Sequence, residues 1–267
     1  MKDQKVHTFV ILAYKQSPFL EECIQSVQRQ AAFSNIIVVT STPNQHIDSL
    51  AKKYSLPLIL NANRGTIAED WSFGFKQATT PYVTLAHQDD IYFEHYTEEL
   101  LSYTGKHQDA LIYFSNYLEL SQGSYRKSNR TTLVKRCMLL PLYLKSSISV
   151  IFLKKMMVSF GCPIMSSSIM YNKRKLNDFN FDPNYTINLD WDAYWRLANK
   201  KGAFLFHTRP LMAHRIHPES ETSCGIRDGR RQGEDATMFY RIWPNLISKI
   251  LIKIYSLCYS TNRVEES

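Results

Sequence analysis

Short apolar runs that alternate with amphipathic stretches constrain this chain more than any other feature. Phe9-Val10-Ile11-Leu12, Ile36-Ile37-Val38-Val39, residues 56–60 and residues 81–86 have the length and continuity of buried parallel strands. Between them the periodicity turns helical. Ser17-Pro18 followed by Glu21 and Glu22 reads as a helix start, and Leu20, Cys23, Ile24 and Val27 carry the apolar face on to about Gln30. Residues 47–54 and 68–77 read as two further helices, with a loop over 61–65. This alternation predicts an α/β fold with a doubly wound, mainly parallel sheet over about the first hundred residues.

The fourth strand runs into His87-Gln88-Asp89-Asp90-Ile91. Adjacent acids repel, so a pair held at the tip of a buried strand points to a cation or cationic group beside it. Strand tips are also where open α/β sheets bind ligands. The plain alternative is an Asp-rich turn that caps a helix over 93–104. No GxGxxG follows the first strand and no GxxxxGK[ST] occurs anywhere, so neither the dinucleotide fingerprint nor a P-loop explains the fold. Without phosphate-cradling glycines, a divalent metal on Asp89 or Asp90 is the natural way to neutralise a diphosphate.

The second half is less regular. Residues 110–118 alternate as a strand, 161–171 read as a loop entering a strand, 189–198 as a helix and 203–207 as a strand. In Asn188-Leu189-Asp190-Trp191-Asp192 two carboxylates stand at a helix N-terminus, where the dipole favours the ionised form. That suits a general base for a hydroxyl, or simply an N-cap. His214-Arg215-Ile216-His217 sets two imidazoles around an arginine, a metal ligand with a diphosphate clamp or ordinary structural histidines. Tyr14, Trp71, Trp191 and Trp195 are candidates for stacking on a base or sugar, or for the core. The segments 161–164 and 166–168 lie where an acceptor loop is expected, with Cys162 a buried small hydrophobe.

Five cysteines with no CxxC spacing argue against structural zinc and for a reducing compartment. The N-terminus lacks the pattern of a secretory signal, and no apolar run is long enough to cross a membrane. The net charge of +8 is unevenly placed: between Leu120 and Asn177 there is no acid, while eleven Lys and Arg interleave with apolar runs. A stretch from Arg241 to Leu257 reads as one basic amphipathic helix. Both fit a solvated core-facing helix or contact with an anionic membrane surface. No nucleic-acid-binding motif appears.

In this order and spacing the pieces 9–15, 20–30, 63–65, 87–91, 189–192 and 214–217 resemble the family 2 glycosyltransferases of the GT-A fold, over residues 7 to 223. The resemblance implies an inverting transfer from a nucleotide-diphosphate sugar to a hydroxyl. Asp190 is then the catalytic base. Asp89 stands as the last acid of a DxD signature, with Mn or Mg on Asp89, Asp90 and His217. Donor contacts are implied at Ala13, Tyr14, Arg64, His87, Asp89, Asp90, His214, Arg215 and His217. His87 replaces the usual first acid, and Val39-Thr40-Ser41-Thr42 lacks the Asp that commonly contacts the base. Such departures resemble transferases of bacterial surface polysaccharides. They imply a glycan or lipid-linked glycan acceptor and a cytoplasmic protein peripheral to the inner face of the membrane. A non-catalytic glycan- or lipid-binding member and a nucleotidyltransferase are the alternatives. The expected organisation is a GT-A domain over 1–225, its donor half reaching about residue 110, followed by a basic helical extension over 226–267.

Overall fold

The protein is described here by a computed structural model covering residues 5–30, 34–63, 65–127 and 130–256. The alternating half folds as its periodicity predicts: β1 His7–Leu12, α1 Leu20–Gln28, β2 Ser34–Thr40, α2 Gln45–Lys53, β3 Leu58–Leu60, α3 Ile67–Gln77 and β4 Tyr82–His87. Then come β5 Ile91–Tyr92, α4 Tyr96–Thr104, β6 Ile112–Ser121, β7 Ser124–Arg126, α5 Arg130–Met138, α6 Leu140–Leu144, β8 Ser147–Ile148 and α7 Ile151–Val158. The chain continues through β9 Ile169–Asn172, α8 Leu189–Ala198, β10 Phe204–Arg215, α9 Glu221–Arg227, α10 Arg230–Ile242 and α11 Asn245–Ser256.

The main sheet has the order β3-β2-β1-β4-β9-β6-β10-β5. Strands β3, β2, β1 and β4 are parallel, as are β6 and β10, and β9 bridges the two sets antiparallel. Alternate residues of β1 feed opposite layers: Phe9 and Ile11 join a core with α1, α2 and α4, while Val10 joins one with α3, α8 and α10. Helices on both faces make the sheet doubly wound, because every parallel crossover must return over one face or the other.

Local chemistry sets the helix starts. Asn44 caps α2 by accepting from the Ile47 N–H, and Thr66 with Glu69 forms a full capping box on α3. Two sequence expectations are corrected. Strand β10 does not stop at His207 but runs to Arg215, passing Pro210 through register shifts against β6 that excuse its missing N–H. The predicted helix over 241–257 is two helices. Arg241 and Ile242 close α10, Trp243 turns extended (φ −124°, ψ 152°), and α11 starts after Pro244. Proline disfavours the helical conformation in the residue before it. Leu257, the end of that stretch, lies outside the described residues.

The basic middle is also less free than its sequence implies. Lys154 is fully buried, its Nζ donating to the carbonyls of Lys200 (2.6 Å) and Gly202 (2.7 Å). Lys173 donates to the carbonyls of Phe75 and Lys76 at 3.0 Å, and to that of Ala78, at the C-terminus of α3.

Candidate active site

Sheet register assembles the first half of the site. Leu12 is paired with His87 across parallel strands, so Ala13 and Tyr14 emerge beside the acid pair. Gln88 locks this junction, accepting from the Tyr14 N–H (2.9 Å) and donating to the Tyr14 carbonyl (3.0 Å). On the other side Ala213 pairs antiparallel with Ile91, which sets His214 against Asp90.

Asp90 is fully buried and saturated. Its Oδ1 accepts from the Arg215 N–H (3.0 Å) and lies 3.0 Å from His214 Nδ1, and its Oδ2 accepts from the Ser167 hydroxyl. Burial alone would lower the His214 pKa, but the charge and hydrogen bond of Asp90 hold it above the ordinary value. Asp89 is the freer carboxylate. Desolvation pushes its pKa up, yet the hydrogen bond from His217 (2.9 Å) and the nearby imidazoles of His87 and His214 keep it below the usual range. Arg215 is engaged on three sides: Nε donates to the Asp89 carbonyl (2.9 Å), the guanidinium covers the Phe19 ring at 4.4 Å, and Nη2 pairs with Glu22. Trp71 packs its ring 4.7 Å from that of His87.

His87, Asp89 and Asp90 each bring one ligand atom within 4.8 Å of the other two. His87 Nε2 is buried with no hydrogen-bond partner among the described residues, an orphaned atom of the kind a ligand satisfies. One imidazole and two carboxylates suit Mn²⁺ or Mg²⁺, so these residues fit a divalent cation. Because both oxygens of Asp90 are already bonded, Asp89 and His87 are its readier ligands. His217 reaches Asp89 rather than completing that trio.

The second half of the site is the N-terminus of α8. Asp190 Oδ1 accepts from the Trp191 N–H (2.7 Å), and the Cys162 thiol lies 3.5 Å from Oδ2. Desolvation raises the Asp190 pKa against the opposing pull of Arg231, so its carboxylate is a stronger base than a free one. Its neighbour Asp192 differs. It is fully buried and bound by Arg196 (2.7 Å) and Arg241, a structural ion pair rather than a base.

The turn before α8 is tied to α10. Glu234 accepts from the N–H groups of Thr186 (2.9 Å), Ile187 (2.9 Å) and Asn188 (2.7 Å) and from the Thr186 hydroxyl (2.7 Å). Asp235 accepts from the Asn188 side chain at 2.6 Å. Sequence reading placed these residues in the extension and gave them no role. It also missed Ser167 as the anchor of Asp90, Gln88 as the brace of Tyr14, and Phe19 beneath His217 and Arg215. Of its aromatic candidates, Trp191 is fully buried, with Nε1 donating to the Val158 carbonyl (2.6 Å) and its ring against Phe239; it belongs to the core. Tyr14 is half-exposed beside the acid pair. Arg64 lies outside the described residues.

A mostly parallel sheet wound on both faces, with an acid pair at the tip of its central strand and a second carboxylate at a later helix N-terminus, defines the GT-A glycosyltransferase fold. Residues 8–178 match the family model described as glycosyl transferase family 2, and the chain belongs to that family. Among solved structures, the mannosyltransferase PcManGT of Pyrobaculum calidifontis, in complex with GDP-Man and Mn²⁺, is 13% identical. That match covers 95% of this chain and 70% of that one, with a TM-score of 0.63. Glucosyl-3-phosphoglycerate synthase of Mycobacterium tuberculosis, in complex with Mn²⁺, UDP and glucosyl-3-phosphoglycerate, is 17% identical over 89% of this chain and 80% of its own (TM-score 0.58). S. aureus TarS is 13% identical (TM-score 0.59); the match covers 88% of this chain but only 39% of TarS. At these identities the likeness concerns the fold. No curated protein sequence matches significantly.

Proposed function

We propose that the chain is a metal-dependent inverting glycosyltransferase that moves one sugar from a nucleotide-diphosphate donor to a hydroxyl of a glycan acceptor. The observation that carries this is the pairing of two unlike carboxylate sites: Asp89 held ionised among imidazoles, and Asp190 desolvated with a raised pKa. The first suits a cation and a diphosphate, the second suits proton abstraction. A divalent metal on His87 and Asp89, with Asp90 beside them, would offset the charge that builds on the departing nucleoside diphosphate. Tyr14 and Ala13 line the donor side, and His214 and His217 orient the acid pair. Asp190 takes the proton of the acceptor hydroxyl as that oxygen attacks the anomeric carbon from the face opposite the leaving group. Inversion follows because a single displacement requires one base and no protein nucleophile. The solved structures with GDP-Man, UDP and Mn²⁺ on the same fold support this donor class.

In this reading 1–225 form the catalytic domain, its donor half reaching about residue 110, and 226–267 extend it. The acceptor is a lipid-linked glycan of a bacterial surface polysaccharide, met at the inner face of the membrane. Leu144, Phe152, Leu246, Ile250 and Ile254 are all more than half exposed, and Lys145, Lys155, Lys249 and Lys253 stand among them. Trp243 and Tyr255 bring the start and end of the α11 region against residues 159–161 at the end of α7. No helix is long and apolar enough to cross a membrane among the described residues, and exposed apolar side chains with lysines among them suit interfacial attachment. Phe152→Ser with Leu246→Ser lowers binding to anionic vesicles at low salt; unchanged binding removes the membrane from the reading.

The test of activity is release of nucleoside diphosphate from a panel of UDP-, GDP- and dTDP-sugars with Mn²⁺. Release from one donor, abolished in Asp89→Asn, is the expected result. Binding without release in the presence of glycan acceptors supports the second reading, a non-catalytic glycan-binding member, which the saturated state of Asp90 and the His87 replacement favour.

A further inference from the structure

Two cations that form no ion pair among the described residues, Lys135 and Arg136, line a cleft near the N-terminus of α8. Lys135 on α5 is half-buried and forms no ion pair among the described residues. Among the described residues its side chain makes one hydrogen bond, a long one to the Tyr117 hydroxyl (3.4 Å), whose ring it approaches at 5.8 Å. Tyr117 in turn packs against His214, 6.4 Å between rings, so Lys135 sits one side chain away from the donor end. Beside it, Arg136 donates through Nη2 to the Lys127 carbonyl, while its Nε is buried without a hydrogen-bond partner among the described residues. Both cations line a narrow cleft whose wall includes Pro163-Ile164-Met165. That wall continues directly from Cys162, the neighbour of Asp190.

A third cation, on α10, already has its counter-charge. Arg231 is mostly buried and paired to Asp235 at 3.3 Å, and Asp235 holds Asn188, two residues before Asp190. The charges of Lys135 and Arg231 both act on Asp190. No carboxylate lines the cleft, and none occurs between Leu120 and Asn177. Arg231 is thus neutralised by Asp235, whereas Lys135 and Arg136 form no ion pair among the described residues; half-buried cations left so cost stability unless a ligand supplies the anion.

We propose that Lys135 and Arg136 form an anion subsite on the Cys162 side of the general base, so that the acceptor carries a phosphate or diphosphate close to the hydroxyl that reacts. This deepens the glycosyltransferase reading and rests on it. The subsite is separate from the donor diphosphate, which belongs to the Asp89 end. Its function is orientation: a charged group clamped beside Asp190 fixes the acceptor hydroxyl against the base.

The experiment is calorimetric titration of phenyl phosphate into the protein saturated with Mn²⁺ and a nucleoside diphosphate, so that the donor site is filled. Saturable binding is expected, at least tenfold weaker in Lys135→Gln and largely recovered in Lys135→Arg, with nucleoside diphosphate affinity unchanged in both. Arg136→Gln weakens it in the same way, provided circular dichroism shows the helices intact. Phenyl phosphate that binds only by displacing the nucleotide, or that binds Lys135→Gln as well as wild type, overturns the proposal. Failure of the nucleoside diphosphate itself to bind sinks the donor reading instead. Titration into the protein alone, wild type against Lys135→Gln, still decides the subsite in that case.

Discussion

Replacing Glu234 by Gln tests whether α10 holds the catalytic helix in place. The carboxylate accepts four hydrogen bonds from the turn over 186–188, three of them from backbone N–H groups, and Ile187 and Asn188 are buried. Hydrogen bonds to a charged acceptor are worth about 1.5–3 kcal/mol each, and an orphaned buried N–H costs about 1–3 kcal/mol. Glutamine keeps one acceptor oxygen and turns a donor NH₂ toward the remaining N–H groups. The loss is therefore about two such bonds, with relaxation of the turn bringing the net to roughly 2–4 kcal/mol. At about 2–4 °C per kcal/mol for a chain of this size, Tm falls by roughly 4–16 °C. The catalytic effect is separable from that loss. A base displaced by about 1 Å costs on the order of a hundredfold in rate, while the donor site, built from β1, β4 and β10, is untouched. The expected result of steady-state kinetics well below Tm is kcat lowered about a hundredfold with the donor KM unchanged. A variant with the Tm loss but wild-type kcat would falsify the positioning argument, leaving Glu234 a purely structural residue.

Asp190→Asn should remove turnover by at least about a hundredfold while raising stability. A carboxyl whose folded pKa lies above its unfolded value destabilises the fold as pH rises through that window, so the gain in Tm should appear at neutral pH and vanish in acid. His7 has the opposite sign of effect for a different reason. Buried between Ser34 and Thr84, its pKa is depressed from 6.5 to about 3, so the unfolded state takes up a proton first and stability falls as pH drops below 6.5. At about pH 5 the loss is about 2 kcal/mol; denaturant melts of wild type and His7→Asn should converge there, and parallel pH profiles would refute the assignment. Thiol labelling of the native protein should start at exposed Cys137 and spare Cys23 and Cys162, whose thiols burial pushes well up.

The donor half was legible because its signals are local. Four apolar runs and the helices between them needed only periodicity, and the tip of β4 follows from where Pro81 to Ala86 ends. The same logic misjudged β10, since Pro210 looks like a strand stop until a bulge is available to accommodate it. It misjudged the 241–257 stretch too, where a continuous apolar face outweighed the break at Pro244. The bonds that complete the site have no local signature: Ser167 meets Asp90 across 77 residues, and Glu234 meets Asn188 across 46. Nor did charge density distinguish Lys154 and Lys173, which serve backbone carbonyls, from Lys135, which has no such partner among the described residues.

The saturation of Asp90 bears on how the chain acquires its structure. Its carboxylate is made within the early βαβ half, yet its partners at residues 167, 214 and 215 arrive from far downstream. Contacts so distant in sequence close late and slowly, after the entropy of large loops has been overcome. A nascent chain that has completed β4 therefore holds an uncompensated acid at the edge of its first core, with the β4 flank that β9 will later cover still open. Ribosomal pausing before residue 215, or truncation there, should yield an aggregation-prone species. Completion of β10 seals the sheet and the surroundings of Asp90, while His217, Glu234 and Asp235 finish the site afterwards.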